Sequence, residues 1–198
     1  MFTMKKRFCI ILLLFVSTQF FGQKSKKDEG IIFGLKGGLN VSNFSGEITD
    51  NSSRTSIHLG LFSEIIMSDN VSLQPELLYS GQGFSGSSTP GFSRSKYDYI
   101  TIPVLAKIYL AEKISIEAGP QIGFLVSAKE KTDADKVTIP NKKTVDFGLN
   151  LGLAYDFKNG VFFQTRYNLG LSNVNAGPNE NAVKYTNSVV QLSVGFKL

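Results

Sequence analysis

Cysteine is nearly absent from this 198-residue sequence: Cys9 is the only one. It lies inside an apolar stretch near the amino terminus, so neither a disulfide framework nor a lipid-bearing cysteine near a cleavage point is available. Tryptophan is missing altogether, and His58 is the one histidine, so any imidazole chemistry rests on that residue. Long apolar runs are missing too. The longest, "FCIILLLFVS", falls short of the about 20 residues that a membrane-crossing helix needs. Strong charge of one sign is also lacking. The formal net charge is +5, and three of the basic residues, Lys5, Lys6 and Arg7, precede that apolar run. Without them the charge falls to +2, which gives little support to nucleic-acid binding.

The amino terminus has a basic start, a short apolar middle and then the polar "TQFFGQKSKKDEG". This pattern predicts a secretory signal peptide over residues 1–22, cut at about residues 22–24. A short polar segment, 23–30, would follow, and then a single domain over 31–198, long enough for a substantial fold.

What fills that domain is alternation. In "TVDFGLNLGLAYDFKNGVFFQTRYNLGLSN" (144–173), Val145, Phe147, Leu149, Leu151, Leu153 and Tyr155 share one parity; Asp146, Asn150 and Asp156 share the other. Period two means strand, and the Asn159-Gly160 turn between two such runs means hairpin. The same reading predicts strands near Ile31–Ser42, Arg54–Met67, Val71–Phe84, Lys96–Leu110, Ile114–Ser127, Thr144–Phe157, Val161–Ser172 and Tyr185–Leu198. Eight antiparallel strands in up-and-down order can close into a barrel, and closure removes edges.

The connections alternate as well. "SDN" (68–70), "AEK" (111–113) and "KNG" (158–160) are tight, whereas 43–53, 85–95, 128–143 and 173–184 are long and polar. Outer-membrane barrels sort their connections this way, short turns to the periplasm and long loops outside. The two faces agree. The parity opposite the apolar one carries Lys36, Glu64, Glu76, Lys107, Glu117, Asp146, Asp156, Arg166 and Lys197, with Gln74, Asn150, Gln164 and Gln191. A soluble barrel would bury apolar residues inside. Here the charged face must be the lumen and the apolar face must meet lipid. The expected fold is all-β: an eight-stranded antiparallel up-and-down transmembrane β-barrel.

Five segments, in order, resemble a known family. "LQPELLYSGQG" (73–83), "YITIPVLAKIYL" (99–110), "AGPQIGFLVS" (118–127), "GLNLGLAYDF" (148–157) and the ending "VGFKL" are similar to the PorT-like outer-membrane β-barrel domain common in Bacteroidetes. The resemblance spans about 31 to 198. It implies an eight-stranded barrel in the Gram-negative outer membrane whose C-terminal strand is the signal read by the barrel-assembly machinery. It does not imply one activity. Other implied partners are outer-membrane lipid and envelope or secretion proteins.

Candidate chemistry is sparse. His58 falls on the inward parity and could activate Ser56 or Ser88; the alternative is a hydrogen-bonded histidine without a catalytic role. Glu64, Glu76 and Glu117 could be acid–base carboxylates, yet folding about residues 111–113 sets Lys107 opposite Glu117, with Glu76 level with Lys107. The charges then form a structural lumen network with Lys107 at its hub, because buried charges need partners. "KEKTDADK" (129–136) places Asp133 and Asp135 like alternate calcium ligands, but lacks the glycine and distal glutamate of a known loop. Gly34, Gly37 and Gly38 are better read as strand glycines beside bulky neighbours than as a nucleotide loop. No cofactor or metal set is expected. Eight strands leave a lumen that side chains fill. The expected role is therefore non-enzymatic, structural or interactive; a narrow small-solute channel or a lipid-modifying enzyme are the alternatives.

Overall fold

The computed structural model describes residues 30–46, 51–86, 92–132, 136–138, 144–172 and 185–198. The expected signal peptide, Ser88, Asp133 and Asp135 lie outside them. Among the described residues nine strands are present: β1 (Ile31–Gly46), β2 (Asn51–Ser68), β3 (Val71–Gly86), β4 (Phe92–Ala111), β5 (Ile114–Thr132), β6 (Lys136–Thr138), β7 (Val145–Asp156), β8 (Val161–Gly170) and β9 (Tyr185–Lys197). No helix among the described residues is long and apolar enough to cross a membrane.

Eight strands close the barrel. The hydrogen-bonded order is β4-β3-β2-β1-β9-β8-β7-β5, and β5 pairs back onto β4. The first strand meets the last over Gly34↔Lys197 to Gly46↔Tyr185. All pairings are antiparallel and each wall strand pairs on both sides, so apart from the register shifts and gaps in β2–β3, β3–β4 and β4–β5 the backbone of the wall finds its partners within the sheet, as a lipid environment demands. Both termini of the wall and the tight turns at 69–70, 112–113 and 158–160 gather at one end. At Gly160 the chain takes φ +83, a left-handed conformation that glycine adopts at no steric cost. The Asn159 carboxamide oxygen accepts from the Val161 amide there, at 3.3 Å.

Alternation fixes the two faces. Leu151 and Leu192 are 65% and 52% exposed, while their neighbours Asn150 and Gln191 are each 4% exposed. A band of Leu, Ile, Val and Phe of this extent facing water would be an association surface; facing hydrocarbon it is the solvated side. Near the tight-turn end, Tyr155, Phe157 and Phe163 stack edge to face outside the wall, with centroids 4.9 and 5.5 Å apart. Interfacial aromatics of this kind anchor a barrel at headgroup level.

The strands depart from the sequence expectation at the long-loop end. β1 to β5 run several residues into stretches expected to be loops, and β6 adds to β5 beyond the end of β7, through Lys129↔Thr138 to Lys131↔Lys136. Apolar alternation marks only the length in contact with lipid. Strand pairing continues past it, because backbone hydrogen bonds do not require apolar side chains.

Candidate functional site

Among the described residues chemically competent side chains converge in the lumen, which is built in layers along the strands. Nearest the tight turns lie Glu64 of β2, Lys107 and Tyr109 of β4, Asp156 of β7 and Lys197 of β9. The Lys197 ammonium is 2.8 Å from Asp156 and 2.9 Å from Glu64. Lys107 is 3.4 Å from Asp156 and 3.6 Å from Glu64. The Tyr109 hydroxyl donates to Glu64 and lies 3.1 Å from Asp156. Two carboxylates face two ammonium groups, so the layer is neutral.

The next layer is aromatic. Phe62 and Phe162 meet edge to face, with centroids 5.4 Å apart. They lie over Gly34 and Gly195, where a β-carbon would strike the rings. Lys107 bridges this layer to the one below, its ammonium 5.8 Å from the Phe162 ring centroid.

Above the rings sits the densest cluster: Lys36 of β1, Gln74 and Glu76 of β3, Glu117 of β5, and Gln164 and Arg166 of β8. Arg166 grips Glu76 with two parallel bonds, 2.9 and 2.8 Å, and reaches Glu117 at 3.2 Å. Lys36 is 2.8 Å from Glu76 and donates to Gln164 at 2.8 Å. Gln74 donates to Glu76 at 2.7 Å. Lys36, Glu76, Glu117 and Arg166 are all buried, two of each sign, so this layer is neutral as well. Buried ions of low cost need a partner and hydrogen bonds to their remaining atoms; Gln74 and Gln164 supply some of these, while Glu117 Oε1 and Arg166 Nε are left without one.

A neutral polar layer follows. His58 hydrogen-bonds through Nδ1 to Asn40 Oδ1 and through Nε2 to Ser193 Oγ, each at 2.8 Å. Asn40 donates its amide protons to Ser80 Oγ at 3.0 Å and to the Gly81 carbonyl at 2.7 Å, so its oxygen can only accept. Nδ1 of His58 therefore carries the proton, and Nε2 accepts from Ser193. His58 and Ser193 span the wall because Gly38, which pairs with both, has no side chain to separate them. Above them Asn168 donates to Asn150 at 3.0 Å, and Asn150 to Gln121 at 3.3 Å. Tyr97, Tyr99 and Ala128 line the outer mouth, with Phe84 and Leu125 packed on them.

Most of the charges read from the sequence meet in this arrangement, but not in the expected pattern. Lys107 and Glu117 are register partners across β4 and β5, yet their side chains diverge: Lys107 goes to Glu64 and Asp156, Glu117 to Arg166. The hub is the Arg166–Glu76 pair, not Lys107. Asp146 stands apart at the outer end of β7, half-buried and hydrogen-bonded to Ser172. Ser56, expected as a partner of His58, donates instead to the Gly81 carbonyl. Ser193 takes its place. Only the pairing of β1 with β9 reveals that, since residues 58 and 193 lie on strands that are not neighbours in sequence. Among the described residues no group of three or more His, Cys, Asp or Glu side chains could hold a metal ion.

A closed antiparallel wall, apolar outside and packed with paired charges inside, defines an integral outer-membrane β-barrel. Residues 21–176 match the outer membrane protein beta-barrel domain family, and the chain belongs to that family. No curated protein matches it in sequence. Among solved structures it is similar to Neisserial surface protein A, with 12% identity and a TM-score of 0.57 over 86% of this chain and 100% of that one. It is similar also to Ail, the attachment invasion locus protein of Yersinia pestis, with 11% identity and a TM-score of 0.53 over 86% and 99%. At these identities the likeness is one of fold.

Proposed function

We propose that this barrel is a non-enzymatic structural or interaction protein of the outer membrane, acting through its outer rim and loops. In the finer assignment it is a PorT-like barrel of Bacteroidetes, exported by its signal peptide, and an accessory of an envelope or secretion assembly. Its C-terminal strand, ending in Phe196, Lys197 and Leu198, is the segment read by the barrel-assembly machinery. Outer-membrane lipid and envelope or secretion proteins are its partners; nucleic acid is not.

One observation carries this reading. Lys36, Glu76, Arg166 and Glu117 bridge the lumen from four sides, in direct contact and buried. A solute path would have to break bidentate ion pairs in a low-dielectric interior. The same packing argues against an enzyme. His58 and Ser193 have the contacts of a nucleophile relay, but both are buried between filled layers. Planar-bilayer recording of the purified barrel tests the reading: the expected trace shows no discrete openings. Stable unitary steps that the substitution Arg166→Ala enlarges would instead establish a small-solute channel. Affinity capture from native membranes, with the loop 173–184 deleted as a comparison, tests the interaction role.

A further inference from the structure

Three adjoining seams of the wall have gaps at mid-height. β2 and β3 pair as far as Phe62↔Glu76 and resume at Ile65↔Leu73. β3 and β4 break between Pro75↔Val104 and Leu78↔Thr101, and β4 and β5 between Pro103↔Gln121 and Ala106↔Ala118. The register is the same on both sides of each gap, so Ser63 faces Pro75, Glu76 faces Pro103 and Val104 faces Pro120. Proline has no N–H to give, so each gap is a missing rung. Sheets keep proline to edges and bulges. A closed barrel has no edge, yet three prolines stand here at one height on neighbouring strands. The other five seams run without a gap.

β3 loses a rung on each side, and its seam with β2 has a second defect. Toward the outer mouth, residues 54–57 of β2 stand opposite only 81–83 of β3, and the register shifts by one. Gly83 takes φ +135 there. Side chains replace the ladder. Asn40 and Ser56 donate to the Gly81 carbonyl, Arg54 to that of Gln82, and Ser42 to that of Gly83. At the proline gap the fastening is ionic. Glu76, next to Pro75 and opposite Pro103, is gripped by Arg166 from β8 and by Lys36 from β1. β3 is held across the lumen where it is not held along the wall.

We propose that the β2–β3 seam is a latched opening in the wall. The Glu76–Arg166–Lys36 cluster is the latch, and its release lets β3 part locally from β2 while the five continuous seams stay closed. Such parting is a local event, short of the unfolding that separates every strand. The lumen cluster thereby sets how readily one side of the barrel yields.

The test is hydrogen exchange, read by mass spectrometry on the barrel in nanodiscs. β3 and the facing residues 54–66 should exchange roughly tenfold faster than β8 and β9, the scale of one or two lost backbone bonds. Glu76→Gln with Arg166→Gln removes the latch and leaves one charge of each sign, Lys36 and Glu117. It should speed β3 by a further factor of about ten or more, the scale of a charged hydrogen bond, with β8 and β9 unchanged. Pro75→Ala returns an N–H opposite Ser63 and should slow exchange at the seam. Asp156→Asn with Lys197→Gln, in the layer nearest the tight turns, should leave β3 as it was. A boiled-versus-unboiled gel shift establishes that each variant is folded. Equal exchange of β3 and β8–β9 in the wild type overturns the proposal. So does a rise shared by all strands in the latch variant, which would mean general loosening, or an equal release of β3 by the Asp156–Lys197 variant. If the latch variant does not fold, the wild-type comparison and Pro75→Ala decide, and no slowing by Pro75→Ala counts against the seam.

Discussion

Arg166 is the residue on which the lumen depends most. It holds Glu76 bidentately and touches Glu117, all three buried. Arg166→Met would leave two carboxylates with Lys36 alone, a loss of about 3–5 kcal/mol for a broken buried pair. The double variant Arg166→Met with Glu117→Gln should recover part of that loss, because partners in contact are not additive. The pair Lys107→Met and Glu117→Gln should show the smaller coupling, since these side chains go to different partners. Urea titrations of the barrel in liposomes measure all five variants, and a larger coupling for Lys107–Glu117 would refute the observed pairing. On the outer face depth decides. Leu151→Arg, near mid-membrane in β7, should cost about 2–4 kcal/mol, and Leu110→Arg, beside a periplasmic turn, about 0–1 kcal/mol. The same liposome titration reads both, and equal losses would place one of these residues wrongly.

At the scale of the element, β1 shows how a strand serves the lumen by what it omits. Gly34 makes room for Phe62, and Gly38 lets His58 of β2 reach Ser193 of β9. A β-carbon at Gly38 would meet the Leu192 carbonyl and the Ser193 backbone, neither of which can swing aside. At Gly37 it would find its nearest atoms at 3.3 Å, one of them the mobile end of Leu59. Gly38→Ala should therefore lower stability by about 1–3 kcal/mol, the usual cost of overpacking, and Gly37→Ala by less. Refolding yield and unfolding midpoints of the two variants compare them directly. If Gly37→Ala proves the worse, the β1–β9 seam is not as described.

For the whole molecule, closure is the property that matters. With every wall strand paired on both sides, no edge is left to fray at the bilayer level, and unfolding requires the barrel to open as a unit. The native protein should migrate on SDS gels at a different position before and after boiling. Mass spectrometry of the outer-membrane form should find a new terminus near Gln23 or Lys24. An intact Met1 in the soluble fraction would contradict export, and a single gel position at both temperatures would contradict closure.

The sequence by itself determined the strands and their faces. In a bilayer one side of each strand must be apolar and the other need not be, so period-two alternation from Ile31 to Leu198 places eight strands, separates lumen from lipid and sorts short turns from long. Some of the register was also legible, because a tight turn at 112–113 leaves Lys107 no partner but Glu117 across the strand pair. Who touches whom across the lumen was not. Arg166 and Glu76 stand 90 residues apart, Lys36 and Gln164 128, His58 and Ser193 135. Those contacts depend on shear and closure, which set the height at which opposite walls face each other, and no local pattern encodes that height.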